Sequence, residues 1–299
     1  MAGTKKSPDI IFSILTGSAM LLILAILAVI VGNIVINGYG VLSLKFFTTD
    51  PTQGMTEGGV FPAIFGTVAL VVLMIIAVIP FGVMTAIYLH EYANPESIFT
   101  RAIRFAITNL AGIPSIVFGL FGLGFFIQFV GGGIDKLIGT DVLWGQPCLV
   151  WAALTLALLN LPVVVVTSEE TLRSIPPEQR EASLALGGTK LQTIIKVILP
   201  QALPGILTGA ILSISRGAGE VAPIMFTGAA YYLPYLPTSP TDQFMELGYH
   251  IYVLSTQSPD VEATKPILYG TVLVLLILTL LLNIVAILIR YRMRIRSRA

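Results

Sequence analysis

The sequence predicts an all-α integral membrane fold with six transmembrane helices. The chain is 55% hydrophobic and 11% charged, with a mean hydropathy of +0.89. Its charges gather between long uncharged stretches instead of alternating with apolar residues at helical spacing. Six of those stretches are long enough to cross a hydrocarbon core about 30 Å thick, which takes roughly 20 apolar residues.

The uncharged intervals cover residues 10–44, 58–89, 105–134, 142–168, 197–215 and 266–289. The first follows Lys5 and Lys6 in the manner of a signal peptide. Its apolar run to Ile36 is too long for one and no convincing small-residue cleavage site follows, so it is expected to stay as an anchor. With most of the 299 residues in spans, no room is expected for a sizeable soluble domain. The single cysteine, Cys148, excludes an internal disulfide, and with only His90 and His250 beside it a Cys/His metal site is disfavoured. The expected organisation is an N-terminal helix and outer loop (1–58), a membrane domain (59–290) and a basic cytoplasmic tail (291–299).

Orientation follows from Lys and Arg, which concentrate in cytoplasmic loops. With the N-terminus inside, thirteen of the 17 basic residues fall on the inner side, including Arg101, Arg104, Arg173, Arg180, Lys190, Lys196 and the C-terminal arginines. The outer side receives only Lys45, Lys136 and Lys265, and Arg216 is left within the membrane. Both termini are therefore expected to be cytoplasmic.

Several spans contain helix-disturbing residues. Pro80, Pro114, Pro162 and Pro204 each remove a backbone donor, which membrane helices tolerate where neighbours or a cavity satisfy the freed carbonyls. In the fifth span Gly205, Gly209, Ser213 and Gly217 recur every fourth residue, a small-residue stripe that lets another helix approach closely. Ordinary bundle packing accounts for such a stripe without any further role.

Two inner segments read as surface helices. In NPESIFTRAIRFAIT, Asn94 is the expected N-cap and Pro95 the first turn, with Ile98, Phe99, Ala102, Ile103 and Ala106 on one face. In the segment 174–200, Pro176 and Pro177 suit a helix start, Glu178 and Glu181 the first turns, and Gly187-Gly188 a stop. Thr189 followed by Gln192 then predicts a capping box that opens a second helix, which meets the membrane near Lys196. The first of these helices exposes small side chains, Ala182, Ser183 and Ala185, so its backbone lies close to the surface and forms a knob for a groove on another protein.

At these residues the chain resembles the permeases of bacterial ABC importers. Their inner loop has the pattern E-A-A, three residues, Gly, nine residues, Ile-x-Leu-Pro. Here Glu181, Ala182, Ser183, Gly187, Val197, Leu199 and Pro200 fall at that spacing, with Ser183 and Val197 as mild departures. The resemblance covers roughly 59–290 and implies a type I (MetI-like) ABC-importer permease, five core helices plus an N-terminal one. It also implies that the loop docks on a cytoplasmic ATPase. The chain carries no G-x-x-x-x-G-K-[ST] phosphate loop of its own, so MgATP is expected to be used by a partner and no cofactor to be bound here.

Within the fifth span, ISRGAGEVAP places Arg216 and Glu220 four residues apart. A rise of 1.5 Å per residue from Pro200 sets Arg216 about 24 Å along, in the middle to outer part of the bilayer. An arginine at a helix centre costs about 2.5–3.5 kcal/mol to insert, whereas an i,i+4 pair returns only about 0.2–0.5 kcal/mol on an exposed helix. SRGAGEVAPIMFT is similar to the matching segment of a membrane subunit of phosphate importers, and that likeness maps a transport-linked arginine onto Arg216 and a nearby glutamate onto Glu220. A guanidinium is a planar fork of donors for oxyanions. Glu220 is expected to accept a hydrogen bond from protonated phosphate and to repel sulfate, so that Glu220→Gln shifts the preference between them. The alternative is a structural ion pair with a neighbouring helix or partner subunit.

The expected function is thus a permease subunit for inorganic phosphate. Its implied partners are a second homologous permease subunit, two copies of a cytoplasmic ATPase, an external phosphate-binding protein and membrane lipid. The aromatic outer loop between Thr227 and Lys265, with a short helix that presents Phe244, Leu247 and Ile251, is a candidate contact for the binding protein. A permease for another oxyanion, an ion-coupled carrier and a membrane enzyme built on Glu169-Glu170 are the rivals. The carrier lacks visible paired repeats of broken helices, and the enzyme lacks a carboxylate or histidine cluster.

Overall fold

The computed structural model describes residues 7–233 and 235–296. Lys5, Lys6, Arg298 and the last three residues of the expected tail lie outside them. Among the described residues six helices are long and apolar enough to cross a membrane.

The first, α1 (Ser7–Gly38), is apolar on every side. It packs chiefly on the last span, and most of its surface is exposed. Gly38 permits the approach, since a Cβ there would sit 2.6 Å from the Tyr269 carbonyl oxygen. A short α2 (Leu44–Thr48), capped by the Ser43 side chain, and a hairpin of β1 (Pro51–Thr52) and β2 (Glu57–Gly58) lead into the second span. That span is α3 (Phe61–Ile87), extended by a wider π-type turn at Tyr88–Tyr92.

The elbow α4 (Ile98–Leu110) starts later than the sequence suggests. Asn94 is not its cap. Asn94 Oδ1 instead accepts from the Glu96 amide in a local turn, and Ser97 occupies the cap position. The inward face also differs from the expected one: Thr100 is buried and Ile103 and Ile107 pack on the core, while Ile98 and Phe99 are exposed. The third span therefore begins not near Phe105 but at Ser115, after the bend at Pro114. It consists of α5 (Ser115–Phe121), a π-type stretch at Gly122–Gly131 and α6 (Gly132–Ile138).

The fourth span, α7 (Leu149–Arg173), is the most buried, and its pairing with α3 is the most extensive in the chain. The loop that follows forms α8 (Pro177–Ala185) and α9 (Lys190–Thr193), and a π-type turn at Ile194–Ile198 carries on into α10 (Leu199–Gly217). After α10 come the single turn α11 (Ile224–Thr227), then α12 (Leu247–Thr256) and the last span α13 (Val261–Arg296). Residues 291–296, expected as part of a tail, continue that helix.

Lipid is as apolar as Leu, so close packing and internal hydrogen bonds, more than exclusion of water, hold these helices together. The small-residue stripe shows how. A Cβ on Gly205 or Gly209 would overlap the Thr171 and Thr167 side chains of α7, and one on Gly217 would meet Met74 Sδ of α3 at 2.6 Å. The threonines donate to carbonyls one turn back (Thr171 to Thr167, 2.7 Å; Thr167 to Val163, 2.8 Å), so each brings its own partner into the contact.

Candidate translocation and coupling site

Gly217 ends α10 against Met74 and Asn160, which sit near the midpoints of the second and fourth spans. The chain then leaves the helix, and residues 218–223 run on irregularly before α11. Non-helical backbone at this depth is tolerated where protein or a cavity surrounds it. Here Gly119 and Gly122 of the third span admit it, because a Cβ on either would meet Ala222 and Pro223 or Thr227 within about 3 Å.

Arg216 stands in the last turn before this break, where the negative end of the helix dipole favours a cation. Its Nε donates to Glu220 Oε1 at 3.0 Å. A spacing of four residues would put the two side chains on one face of a continuous helix. The structure instead places Glu220 beyond the helix end, where the turn brings it back onto the guanidinium. The pair satisfies Arg216 in part only: its side chain stays 41% exposed on the surface of the chain, and Glu220 is 18% exposed. The preceding residue, Ser215, donates to Asn283 Oδ1 of α13 (2.9 Å) and joins the fifth and sixth spans. Asn160, fully buried, donates through Nδ2 to the Leu156 carbonyl at 2.9 Å, while its Oδ1 has no partner among the described residues.

The inner loop has the predicted form. Thr189 Oγ1 accepts from the Gln192 amide and Gln192 Oε1 from the Thr189 amide, which completes the capping box. Gly187 lies at φ +85°, a left-handed position that closes α8 and favours glycine. Ser183 and Thr193 hydroxyls meet at 2.8 Å and tie α8 to the next helix. Leu184 and Leu186 are exposed, as are Glu181 and Ala182. A groove of about 740 Å³ runs beside them, lined by Ala182, Ser183, Gly188 and Val197 among others. Leu199 and Pro200 sit where α10 begins, so the loop pattern spans one surface knob and the foot of one membrane helix.

Three groups with structural consequences were not singled out in the sequence. Glu169, read there only as thin evidence for an enzyme, receives Arg104 Nη1 at 2.5 Å and Arg173 Nη2 at 2.7 Å, and so fastens the elbow α4 to α7. Glu91 pairs with Arg180 at 3.0 Å across 89 residues of sequence. Between the fifth and sixth spans, Glu246 caps α12, accepting from the Tyr249 amide at 2.6 Å, and lies beside the Thr67 hydroxyl. Glu246 is 1% exposed, and burial raises its carboxyl to about 7 against the opposing pull of the Gly248 and Tyr249 amides and Thr67. His250, one turn on, is also buried, and burial lowers it to about 4. The predicted face of this helix shifts accordingly: Leu247, His250 and Leu254 point inward, and Phe244 is buried before the helix starts. No group of three or more metal-ligating side chains occurs among the described residues.

Comparison with known proteins agrees with this architecture. Residues 78–296 match the family described as "binding-protein-dependent transport system inner membrane component". The chain is 35% identical over 295 residues to the probable ABC transporter permease protein YqgI of Bacillus subtilis, covering 94% of this chain and 95% of that one. It is 33% identical to the probable phosphate transport system permease protein PstA of Methanocaldococcus jannaschii (91% and 90% covered). It is 41% identical over 168 residues to PstA 1 of Mycobacterium tuberculosis, where 56% of this chain and 50% of that one are covered. In fold it is similar to a chain of a bacterial alginate ABC transporter, with a TM-score of 0.64, 16% identity and 94% and 96% coverage. It is similar also to a chain of an inward-facing methionine ABC transporter, with a TM-score of 0.50, 20% identity and 79% and 94% coverage. The chain therefore belongs to the binding-protein-dependent transport system inner membrane components, as a multi-pass PstA-like ABC-importer permease.

Proposed function

We propose that this chain forms half of the membrane channel of an ATP-driven importer of inorganic phosphate, with both termini cytoplasmic. A second, homologous permease subunit faces the exposed side of Arg216. Two ATPase subunits bind at Glu181, Ala182, Ser183 and Gly187, and an external binding protein delivers the anion. Phosphate passes Arg216 inward as the partners' ATP-driven motion rocks the bundle.

One observation carries the choice of an oxyanion. Only Nε of Arg216 is engaged by Glu220, so the two terminal nitrogens of the guanidinium remain as donors, and Glu220 Oε2 remains as an acceptor. Donors beside an acceptor suit an oxyanion that still carries a proton, as phosphate does at neutral pH and sulfate does not. The relatives named as phosphate permeases support the same reading.

The transporter assembled with its ATPase and binding protein in liposomes tests it. Radiolabelled phosphate is expected to accumulate with ATP inside the vesicles' cytoplasmic-facing compartment, and excess sulfate is expected not to compete. Accumulation of sulfate in place of phosphate would refute the substrate, and an assembly without bound ATPase would refute the mechanism.

A further inference from the structure

Arg180 lies in α8, immediately before the Glu181-Ala182-Ser183 knob, and nothing in the loop pattern marks it. Its side chain is 19% exposed and every nitrogen of its guanidinium is engaged. Nε donates to Glu91 Oε1 at 3.1 Å, Nη1 to the Ile175 carbonyl at 2.9 Å, and Nη2 to the Leu172 carbonyl at 2.9 Å. Nη2 also approaches His90 Nε2 at 3.2 Å. Leu172 is in the last turn of α7, where carbonyls lack partners within the helix. Glu91 is in the π-type turn that ends the second span. One side chain on the surface knob therefore grips the inner ends of the two most extensively packed spans.

Beyond Gly187 and Gly188 the loop holds the same turn a second time. Lys190 donates to the Glu91 carbonyl and lies 4.6 Å from the centroid of the Tyr92 ring. The two arms are joined by the Ser183–Thr193 contact. A planar fork fixed at several points resists both sliding and rotation, which a lysine's single ammonium does not.

We infer that Arg180 is a positioning residue for energy coupling: it converts displacement of α8 by a bound ATPase into displacement of the second and fourth spans. This rests on the reading of α8 as the ATPase-docking helix. Without the clamp, α8 moves with its partner while the spans lag behind.

The test uses the complete transporter in liposomes and measures phosphate moved per ATP hydrolysed. Arg180→Gln and Glu91→Gln are expected to keep the ATPase bound and its basal hydrolysis intact, yet to lower that ratio at least about tenfold, the effect of losing one charge-assisted hydrogen bond. Arg180→Lys, which keeps the charge opposite Glu91 but not the fork, should fall between them and wild type. A wild-type ratio in Arg180→Gln overturns the inference. Should that variant lose its ATPase, a wild-type ratio in Glu91→Gln overturns it, as does loss of the ATPase from both. Failure of the wild-type transporter to move phosphate would instead count against the proposed substrate, and leaves the two outcomes distinct.

Discussion

Replacing Arg216 by Gln removes the charged fork and leaves a shorter, neutral side chain. In the structure Nε is held by Glu220 at 3.0 Å and the terminal nitrogens have no partner among the described residues, so the substitution withdraws one internal bond and two donors available to an anion. A hydrogen bond to a charged group contributes about 1.5–3 kcal/mol. Arg216 is 41% exposed, so water screens part of this and the low end applies. On the proposed function, a loss of about 1.5 kcal/mol in stabilising the anion as it passes Arg216 corresponds to roughly a tenfold fall in uptake. The assay is initial-rate phosphate uptake by the assembled transporter, at matched amounts of subunit and bound ATPase. Arg216→Lys retains charge without the fork and should be intermediate. Full uptake by the Gln variant would refute the reasoning, because it would mean the anion never depends on this guanidinium.

Two further outcomes follow from packing and burial. Gly209→Ala sets a methyl group against the Thr167 hydroxyl and close to Val164, and should destabilise the chain by about 1–3 kcal/mol, read as a lower thermal midpoint in detergent; an unchanged midpoint would show that α7 and α10 are loosely packed. Glu246, raised to about 7 from an ordinary 4.5 by burial, favours the protonated folded state. Stability is fully present below pH 4.5 and is lost as pH rises to about 7, with a total near 3 kcal/mol at about 1.4 kcal/mol per unit. Glu246→Gln should flatten that slope in midpoints measured from pH 4.5 to 8, and an equal slope in both proteins would place the titration elsewhere.

What sequence could and could not reveal here follows the range of each interaction. The spans, the capping box at Thr189 and Gln192, and the left-handed Gly187 are decided within a few residues and are legible in the pattern. The elbow start failed because Asn94 had two local uses, as helix cap or as turn acceptor, and the chain takes the second. The geometry of the Arg216–Glu220 contact was not legible because helical spacing assumes a continuous helix, whereas α10 stops at Gly217 and Glu220 folds back. Arg104 with Glu169 and Arg180 with Glu91 lie 65 and 89 residues apart. No spacing rule reaches that far. A weaker signal existed: Glu91 and Glu169 each lie near the end of a span, where an uncompensated charge would be costly.

The placement of these clamps bears on how motion could cross the bundle. Arg104 and Arg173 hold the C-terminal end of α7 through Glu169, and Arg180 holds it through Leu172. From there α7 runs back in van der Waals contact with α10 along Gly205 and Gly209 to Gly217, one residue from Arg216. Helices meeting through glycine and threonine have little side-chain slack, so a shift at the foot of α7 is passed on rather than absorbed by rotamer changes. Gly217 is the place where such a shift has somewhere to go, since beyond it the chain is no longer helical and Glu220 is held to Arg216 by a single bond. An account in which α7 moves as a rigid bar thus requires the contacts at Gly205 and Gly209 to persist through the cycle while the Arg216–Glu220 separation changes. A cross-link between residues 171 and 205 should then be tolerated during transport; arrest by that link would show that the two helices must slide past each other, and the rigid bar would be wrong.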